Sequence, residues 1–442
     1  MQNPNAPASE CLGEKWDYQT LNSWAEFIAV SLEQNKITKG TRVGVHFSSL
    51  PVYQSAQVAI IHALARIGAV MVPLNTRLTN KELKWQLDKA ECRALLCSQD
   101  FYFDGLELLG GDERIFCYEP ALPFKQIPAA YHTPPGLDSL QGIFFTSGTT
   151  GFPKGALLTF DNHYASALAS AERMPVKKND RWLLTIPLYH IGGMSIVFRA
   201  AIYGIEIVLH SGFDVDAVHH ALTKENITHV SLVPTMLHRL LEKYPHFKPS
   251  PSLRVILLGG AGASESLIKK ALDLNLPIAL TYGLTEATSQ VATSTPEQTR
   301  AKPGSVGKPL SGTTVTIVDD SGKPLPNGEV GEFVVRGKTV MNGYLDTSRW
   351  KGDLHTGDIG YLDSDGDLWV LTRRTDLIVS GGENIYPEEV ERALMAHPAV
   401  SEACVIGLPD QAWGQSVAAA VVVRESVSAE NLIHFLRGQI AG

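Results

Sequence analysis

A strand-like apolar run, Gly142-Ile143-Phe144-Phe145, leads into Thr146-Ser147-Gly148-Thr149-Thr150-Gly151-Phe152-Pro153-Lys154-Gly155. Its glycines let the backbone approach an anion closely, and the hydroxyls of Thr146, Ser147, Thr149 and Thr150 can donate to phosphate oxygens. Lys154 adds a positive charge at the same end. The spacing is not G-x-x-x-x-G-K-[ST], so this is a phosphate loop of another kind than the usual P-loop. A second string, Thr281-Tyr282-Gly283-Leu284-Thr285-Glu286, follows the run Pro277-Ile278-Ala279-Leu280. A Tyr ring can stack on a purine, a Thr can bond a phosphate, and a Glu can hold Mg²⁺ through oxygen. Gly259-Gly260-Ala261-Gly262, after another apolar run, makes a small-residue turn that admits a flat base. His355-Thr356-Gly357-Asp358 and Arg373 offer a carboxylate and a guanidinium to ribose hydroxyls. Taken alone, that last pair reads equally well as a surface turn and an exposed arginine.

Such groups need strand ends to hold them. Short apolar strands alternate with helices through about residue 300, with helices expected over 21–35, 81–89, 213–224 and 235–244. This is the pattern of doubly wound α/β sheets, whose ligands sit beyond the carboxyl ends of the strands. The apolar stretch 58–74 is broken by His62, Arg66 and Gly68, and reads as a buried helix followed by a strand, too short and polar to cross a bilayer. From about residue 302 the texture changes to short strands joined by turns, a small β-rich subdomain over 302–372. The expected plan is a large domain over 1–374, then a small α+β domain over 375–442 in which a βα pattern returns, with a last helix over 429–440.

At 442 residues, with 44% apolar and 19% charged residues, the chain has ample material for packed cores. A net charge of −8, without a long basic run, argues against nucleic acid and anionic membrane as partners. The five cysteines form no C-x-x-C pair, so free thiols are expected. The first residues carry neither a basic nor an apolar stretch, and a cytoplasmic enzyme is the expectation. Asp363-Ser364-Asp365-Gly366-Asp367 begins like a calcium loop, but Leu368 and Arg374 fill the positions that need Gly and Glu. It is read as a hairpin turn.

In their order along the chain, these motifs and Ser380-Gly381-Gly382-Glu383-Asn384-Ile385 closely resemble the adenylate-forming superfamily of acyl-CoA synthetases, peptide-synthetase adenylation domains and luciferases. The resemblance implies a two-step reaction. ATP and a carboxylate give an acyl-adenylate and pyrophosphate; a thiol, usually that of coenzyme A, then displaces AMP. It implies that Thr146, Ser147, Gly148, Thr149, Thr150, Gly151 and Lys154 bind the β- and γ-phosphates. Gly259, Gly260 and Ala261, with Tyr282 and Gly283, would frame the adenine. Thr285 would meet the α-phosphate, Glu286 (with Thr146) the Mg²⁺, and Asp358 and Arg373 the ribose. Thr375 takes the hinge position, where many relatives have Asp. Gly381 and Gly382 would line the pantetheine tunnel.

Pro187-Leu188-Tyr189-His190-Ile191-Gly192-Gly193 resembles the acyl-pocket segment of acyl- and aryl-CoA ligases; amino-acid-activating relatives usually carry Asp where His190 stands. His190 can bond a carboxylate or gate the pocket, and a structural histidine remains open. Several segments, among them Thr159-Phe160-Asp161-Asn162-His163-Tyr164 and Asp180-Arg181-Trp182, are similar to the o-succinylbenzoate–CoA ligase family of menaquinone and phylloquinone biosynthesis. That likeness implies an aromatic dicarboxylate, with Gly192, Gly193, Ser195, Ser289 and Gln290 beside His190 as its contacts. Another aryl- or acyl-CoA ligase, or a nucleotide-binding relative lacking full activity, stays open, as does a homo-oligomer. The family's Gly-Lys segment near the C-terminus has no counterpart before Gly442, which leads to an expectation of a truncated C-terminal domain and slow adenylation.

Overall fold

The computed structural model describes residues 3–108, 115–118, 132, 134–146, 153–347, 352–372, 378–385 and 387–440. Two largely parallel sheets form the frame. One has eight strands in the order Ala292–Thr293, Ile278–Tyr282, Val255–Leu258, His229–Leu232, Arg181–Leu184, Glu206–Leu209, Pro7–Cys11 and Glu14–Asp17. The other has six, Ile115–Tyr118, Ala94–Ser98, Arg42–His46, Val70–Pro73, Leu140–Thr146 and Lys154–Thr159, and only its last pair is antiparallel. Helices Tyr18–Gln34, Pro51–Ile67 and Ile191–Tyr203 contribute to one apolar cluster with residues of both sheets, so the core is continuous between them.

Helix ends follow capping chemistry. The first helix starts at Tyr18 rather than 21, because the Asp17 carboxylate accepts from the Thr20 N–H. The helix expected from 213 starts at Val215 because Asp214 caps it, accepting from Ala217 N–H. The buried stretch after residue 50 is the helix Pro51–Ile67, stopped by Gly68 at φ +68, then the fully buried strand Val70–Pro73. Among the described residues, no helix is long and apolar enough to cross a membrane, and Cys92 and Cys404 are free thiols.

The β-rich segment forms an antiparallel sheet, Thr313–Val318, Gly331–Gly337, Leu354–Leu362 and Leu368–Thr372. The aspartates of the loop before its last strand close around a cation from within the chain: Lys302 Nζ donates to Asp363 at 2.8 Å and to Asp365 and Asp367 at 2.6 Å.

The last domain differs from a simple βα pattern. Val400–Asp410 and Gly414–Val423 form a long antiparallel hairpin beside the small hairpin Ile378–Ser380/Glu383–Ile385. Asp410 causes the reversal: its carboxylate accepts the N–H groups of Ala412 and Trp413 at 2.8 and 2.9 Å, and Gly414 follows at φ +76. Helices Pro387–Met395 and Ala429–Arg437 cover one face of this sheet, the latter ending short of the expected 440.

Candidate active site

The parallel strands of the larger sheet end together, and the residues just past them surround a cavity of about 240 Å³. Gly259 and Gly260 line it after Val255–Leu258, and Gly283, Leu284, Thr285 and Glu286 line it after Ile278–Tyr282. Thr146 enters from the smaller sheet, Thr356 and Asp358 from the β-rich one, and Gly382 from the last domain. Gly283 has a steric reason to be glycine: a Cβ there would lie 1.4 Å from the Ser289 carbonyl oxygen. That close approach lets the turn after Tyr282 fold back and bring Thr285, Glu286, Ser289 and Gln290 to one wall.

Thr146 and Lys154 face each other in register at the open ends of an antiparallel pair. Between them, Ser147, Gly148, Thr149, Thr150 and Gly151 lie outside the described residues, as do Arg373 and Thr375 elsewhere. Glu286 is buried, and one of its oxygens accepts from Thr146 Oγ1 at 3.3 Å and Tyr344 OH at 2.9 Å. Lys154 Nζ stands 5.5 Å from the centre of that same Tyr344 ring. A buried carboxylate beside a threonine hydroxyl is an all-oxygen donor set that suits Mg²⁺.

Tyr282 sits elsewhere than expected. It is buried at 4% exposure, edge-on to Phe333 at 5.4 Å, and does not line the cavity. Its hydroxyl donates to Asp358 at 2.5 Å, so here it holds the carboxylate that faces the cavity instead of presenting a flat face to a base. Ala261 also stays off the cavity wall.

At the acyl end, His190 precedes the helix Ile191–Tyr203 and lines the cavity with Gly192, Ser289 and Gln290. Gly193 does not: a Cβ there would sit 2.4 Å from the Pro187 carbonyl oxygen, so its small size serves packing of the helix start. Ser195 is buried in the helix away from the cavity, its hydroxyl without a hydrogen-bond partner among the described residues. Arg199, from the same helix, does line the cavity. It is 2% exposed, lies 6.0 Å from the Trp182 ring, and donates from Nη2 to Ser166 Oγ at 3.3 Å. Its Nε has no hydrogen-bond partner among the described residues. Burial pushes its pKa down, yet a guanidinium stays charged at neutral pH. The signal for it was present in the sequence as a lone charge inside the apolar run Ile191-Gly192-Gly193-Met194-Ser195-Ile196-Val197-Phe198 and its continuation.

The last domain reaches the site through Glu383. One of its oxygens meets His190 Nε2 at 3.4 Å and accepts from Arg77 at 3.1 Å. Burial would raise this carboxyl; His190 and Arg77 outweigh it and hold it below its ordinary value. A second cavity, of about 1160 Å³, opens beside this contact and is lined by Arg77, Tyr189, Gly381 and Trp413. Gly381 thus faces the large cavity and its neighbour Gly382 the small one.

Family comparison agrees with this layout. The AMP-binding enzyme family matches residues 1–345, and its C-terminal domain family matches 389–442. The chain belongs to the AMP-binding enzyme family. It is 38% identical over 444 residues to a 2-succinylbenzoate–CoA ligase of Bacillus cereus, covering 99% of this chain and 90% of that one. A double mutant of o-succinylbenzoate CoA synthetase (MenE) from Bacillus subtilis, bound with its product analogue OSB-NCoA, superposes with a TM-score of 0.90 at 35% identity, covering 99% of this chain and 90% of that one. The same Bacillus subtilis enzyme in complex with the acyl-adenylate OSB-AMP gives 0.78 at 36% identity, with the same coverage. Within this AMP-binding enzyme, two segments that carried the finer resemblance are largely structural. Asn162 caps the helix Phe160–Arg173 together with Thr159 and clamps the carbonyls of Lys338 and Val340. Asp180 and Arg181 pair with Arg254 and with Glu10 and Glu206.

Proposed function

We propose that this chain is an AMP-forming acid–thiol ligase that converts o-succinylbenzoate, ATP and coenzyme A into o-succinylbenzoyl-CoA, AMP and pyrophosphate. The observation that carries the substrate reading is Arg199, a buried cation with an unfilled donor on the wall of the cavity that also holds Thr285 and Glu286. A buried charge without a partner is costly, so the site favours an acid whose second carboxylate reaches it. Ser289 and Gln290 stand on the same wall as further hydrogen-bonding groups.

In the first step an oxygen of the succinyl carboxylate attacks the α-phosphorus and pyrophosphate leaves. Thr146 and Lys154, at the mouth of the phosphate hairpin, orient the β- and γ-phosphates, Thr285 holds the α-phosphate, and Asp358, fixed by Tyr282, takes the ribose. Glu286 and Thr146 would hold Mg²⁺, which neutralises phosphate charge when bound. In the second step the CoA sulfur attacks the acyl carbonyl and AMP leaves. Gly381 and Gly382, consecutive residues on the two cavities, give the pantetheine arm its passage, while Glu383 engages His190. The closer match to the product-analogue complex than to the adenylate complex supports reading this arrangement as the thioester-forming one. In this reading 1–374 and 375–442 are the two bodies that move, with Thr375 at their hinge.

The test is mass spectrometry of CoA thioesters formed from ATP, Mg²⁺, CoA and a mixed panel of o-succinylbenzoate, benzoates, coumarates and fatty acids. The expected dominant product is o-succinylbenzoyl-CoA; dominance of another thioester would keep the chemistry and overturn the substrate.

A further inference from the structure

The cation on the acyl wall and the turn that serves the phosphates are joined by one hydroxyl. Ser166, on the helix Phe160–Arg173, is 1% exposed. Its Oγ accepts from Arg199 Nη2 at 3.3 Å and donates to the Thr288 carbonyl at 2.9 Å. Thr288 ends the short turn Thr285–Ala287, which carries both Thr285 and Glu286. The relay is therefore Arg199, Ser166, Thr288, and then the residues that meet the nucleotide.

The turn at the far end of this relay does not hold its shape by local preference. Thr288 and Ser289 are consecutive non-glycine residues in the left-handed region, at φ +53 and +85. Neighbouring elements hold them there. Thr288 Oγ1 donates to the Thr339 carbonyl at 2.7 Å, Met341 N–H donates to the Glu286 carbonyl at 2.8 Å, and Ser166 supplies the third tie. A strained turn held from outside shifts when one tie changes. Arg199 Nε is buried with no hydrogen-bond partner among the described residues, so a carboxylate arriving at the guanidinium changes the demand it makes on Ser166.

We propose that Ser166 is a positioning residue that couples recognition of the second carboxylate to the phosphate-binding turn, making the dicarboxylic acid and ATP bind cooperatively. The proposal rests on the reading of Arg199 as the partner of that carboxylate. It implies that an acid lacking the ring carboxylate fills the pocket without preparing the turn. Selectivity then acts twice, in binding the acid and in readying the nucleotide site.

The experiment is calorimetric titration with the α,β-methylene analogue of ATP, which cannot release pyrophosphate, in the presence of Mg²⁺. In the unaltered chain, saturating o-succinylbenzoate is expected to tighten the analogue about 10-fold, within the usual range of coupling between sites. 4-Oxo-4-phenylbutanoate, the same acid without its ring carboxylate, is expected to change it less than twofold. In S166A the 10-fold effect, read as the ratio of analogue affinities with and without the acid, falls below threefold; a general structural defect would weaken both affinities and leave their ratio. S166T, which keeps the hydroxyl, retains the coupling and serves if S166A does not fold. S166A/R199M is expected to match R199M. Full coupling in folded S166A overturns the proposal, and so does binding of o-succinylbenzoate to the unaltered chain with no coupling. Absence of any o-succinylbenzoate binding removes the substrate reading and this proposal together.

Discussion

The nucleotide half and the acyl half of the cavity are built on opposite plans. On the nucleotide side, small residues and hydroxyls follow strand ends, and backbone geometry does most of the placing: Gly259 and Gly283 are crowded by their neighbours, and Thr146 faces Lys154 across a hairpin. On the acyl side, the decisive group is a long charged side chain reaching inward from a helix, supported by Ser166 from another helix. The first plan suits a ligand common to many enzymes. The second allows the acid to change by altering a few side chains without disturbing the strand ends.

Removing the charge at Arg199 separates the halves most strongly. R199M is expected to cut kcat/KM for o-succinylbenzoate on the order of a thousandfold, from the roughly 3–5 kcal/mol at stake when a buried charge pair is broken. Affinity for the ATP analogue alone should barely move. Equal losses for both ligands would dissolve the distinction. On the nucleotide side, E286Q is expected to slow adenylation about 100-fold while sparing thioester formation from supplied acyl-adenylate. Comparing the two half-reactions by product mass spectrometry checks this; equal slowing of both would contradict the assignment of Glu286. The passage between the cavities responds in the reverse sense. At Gly381, φ is +61 and a Cβ would lie 2.5 Å from the Trp413 ring, so G381A should weaken the thioester step about 10-fold and leave adenylation nearly intact.

The last comparison is of stability. Burial pushes His46 and His62 down to about 4 and His163, which stacks on Phe198 beside Arg199, down to about 3. Unfolded histidine titrates near 6.5, so the unfolded chain takes up protons first as pH falls. Stability present above about pH 6.5 therefore drains on the way to 4, by at most about 1.4 kcal/mol per pH unit for each histidine. Urea midpoints at pH 7 and pH 5 should differ accordingly, and H163F, keeping the ring stack, should shallow the slope by one histidine. A flat profile in both forms would show that these histidines are not held neutral.

The contrast between the halves also explains what was legible in the sequence. Motifs at strand ends are written contiguously: Thr146, Thr285 and Glu286 line the cavity, and Lys154 stands in register with Thr146. The string around Tyr282 reveals that a ring is present but not what packs on it, and Phe333, from the β-rich sheet, meets it edge-on. Arg199 shows in the sequence as a lone charge in an apolar run, but its contact with Ser166 joins two helices that no local spacing connects. Glu383 belongs to a readable motif, yet its partners Arg77 and His190 lie 306 and 193 positions away. The strands and helices of the last domain were legible, but the reversal at Asp410 that pairs two of those strands depends on a side-chain turn within a polar loop. Lys302 likewise sits 61 positions from Asp363, so the cation that the aspartates hold could not be seen in their loop.

The central claim, that the acyl half selects a second carboxylate, is tested most directly by one ratio. It is kcat/KM of the unaltered chain for o-succinylbenzoate over that for 4-oxo-4-phenylbutanoate, measured as CoA thioester formed. A buried guanidinium whose Nε awaits an acceptor predicts a ratio of about 100 or more. A ratio near one would contradict it.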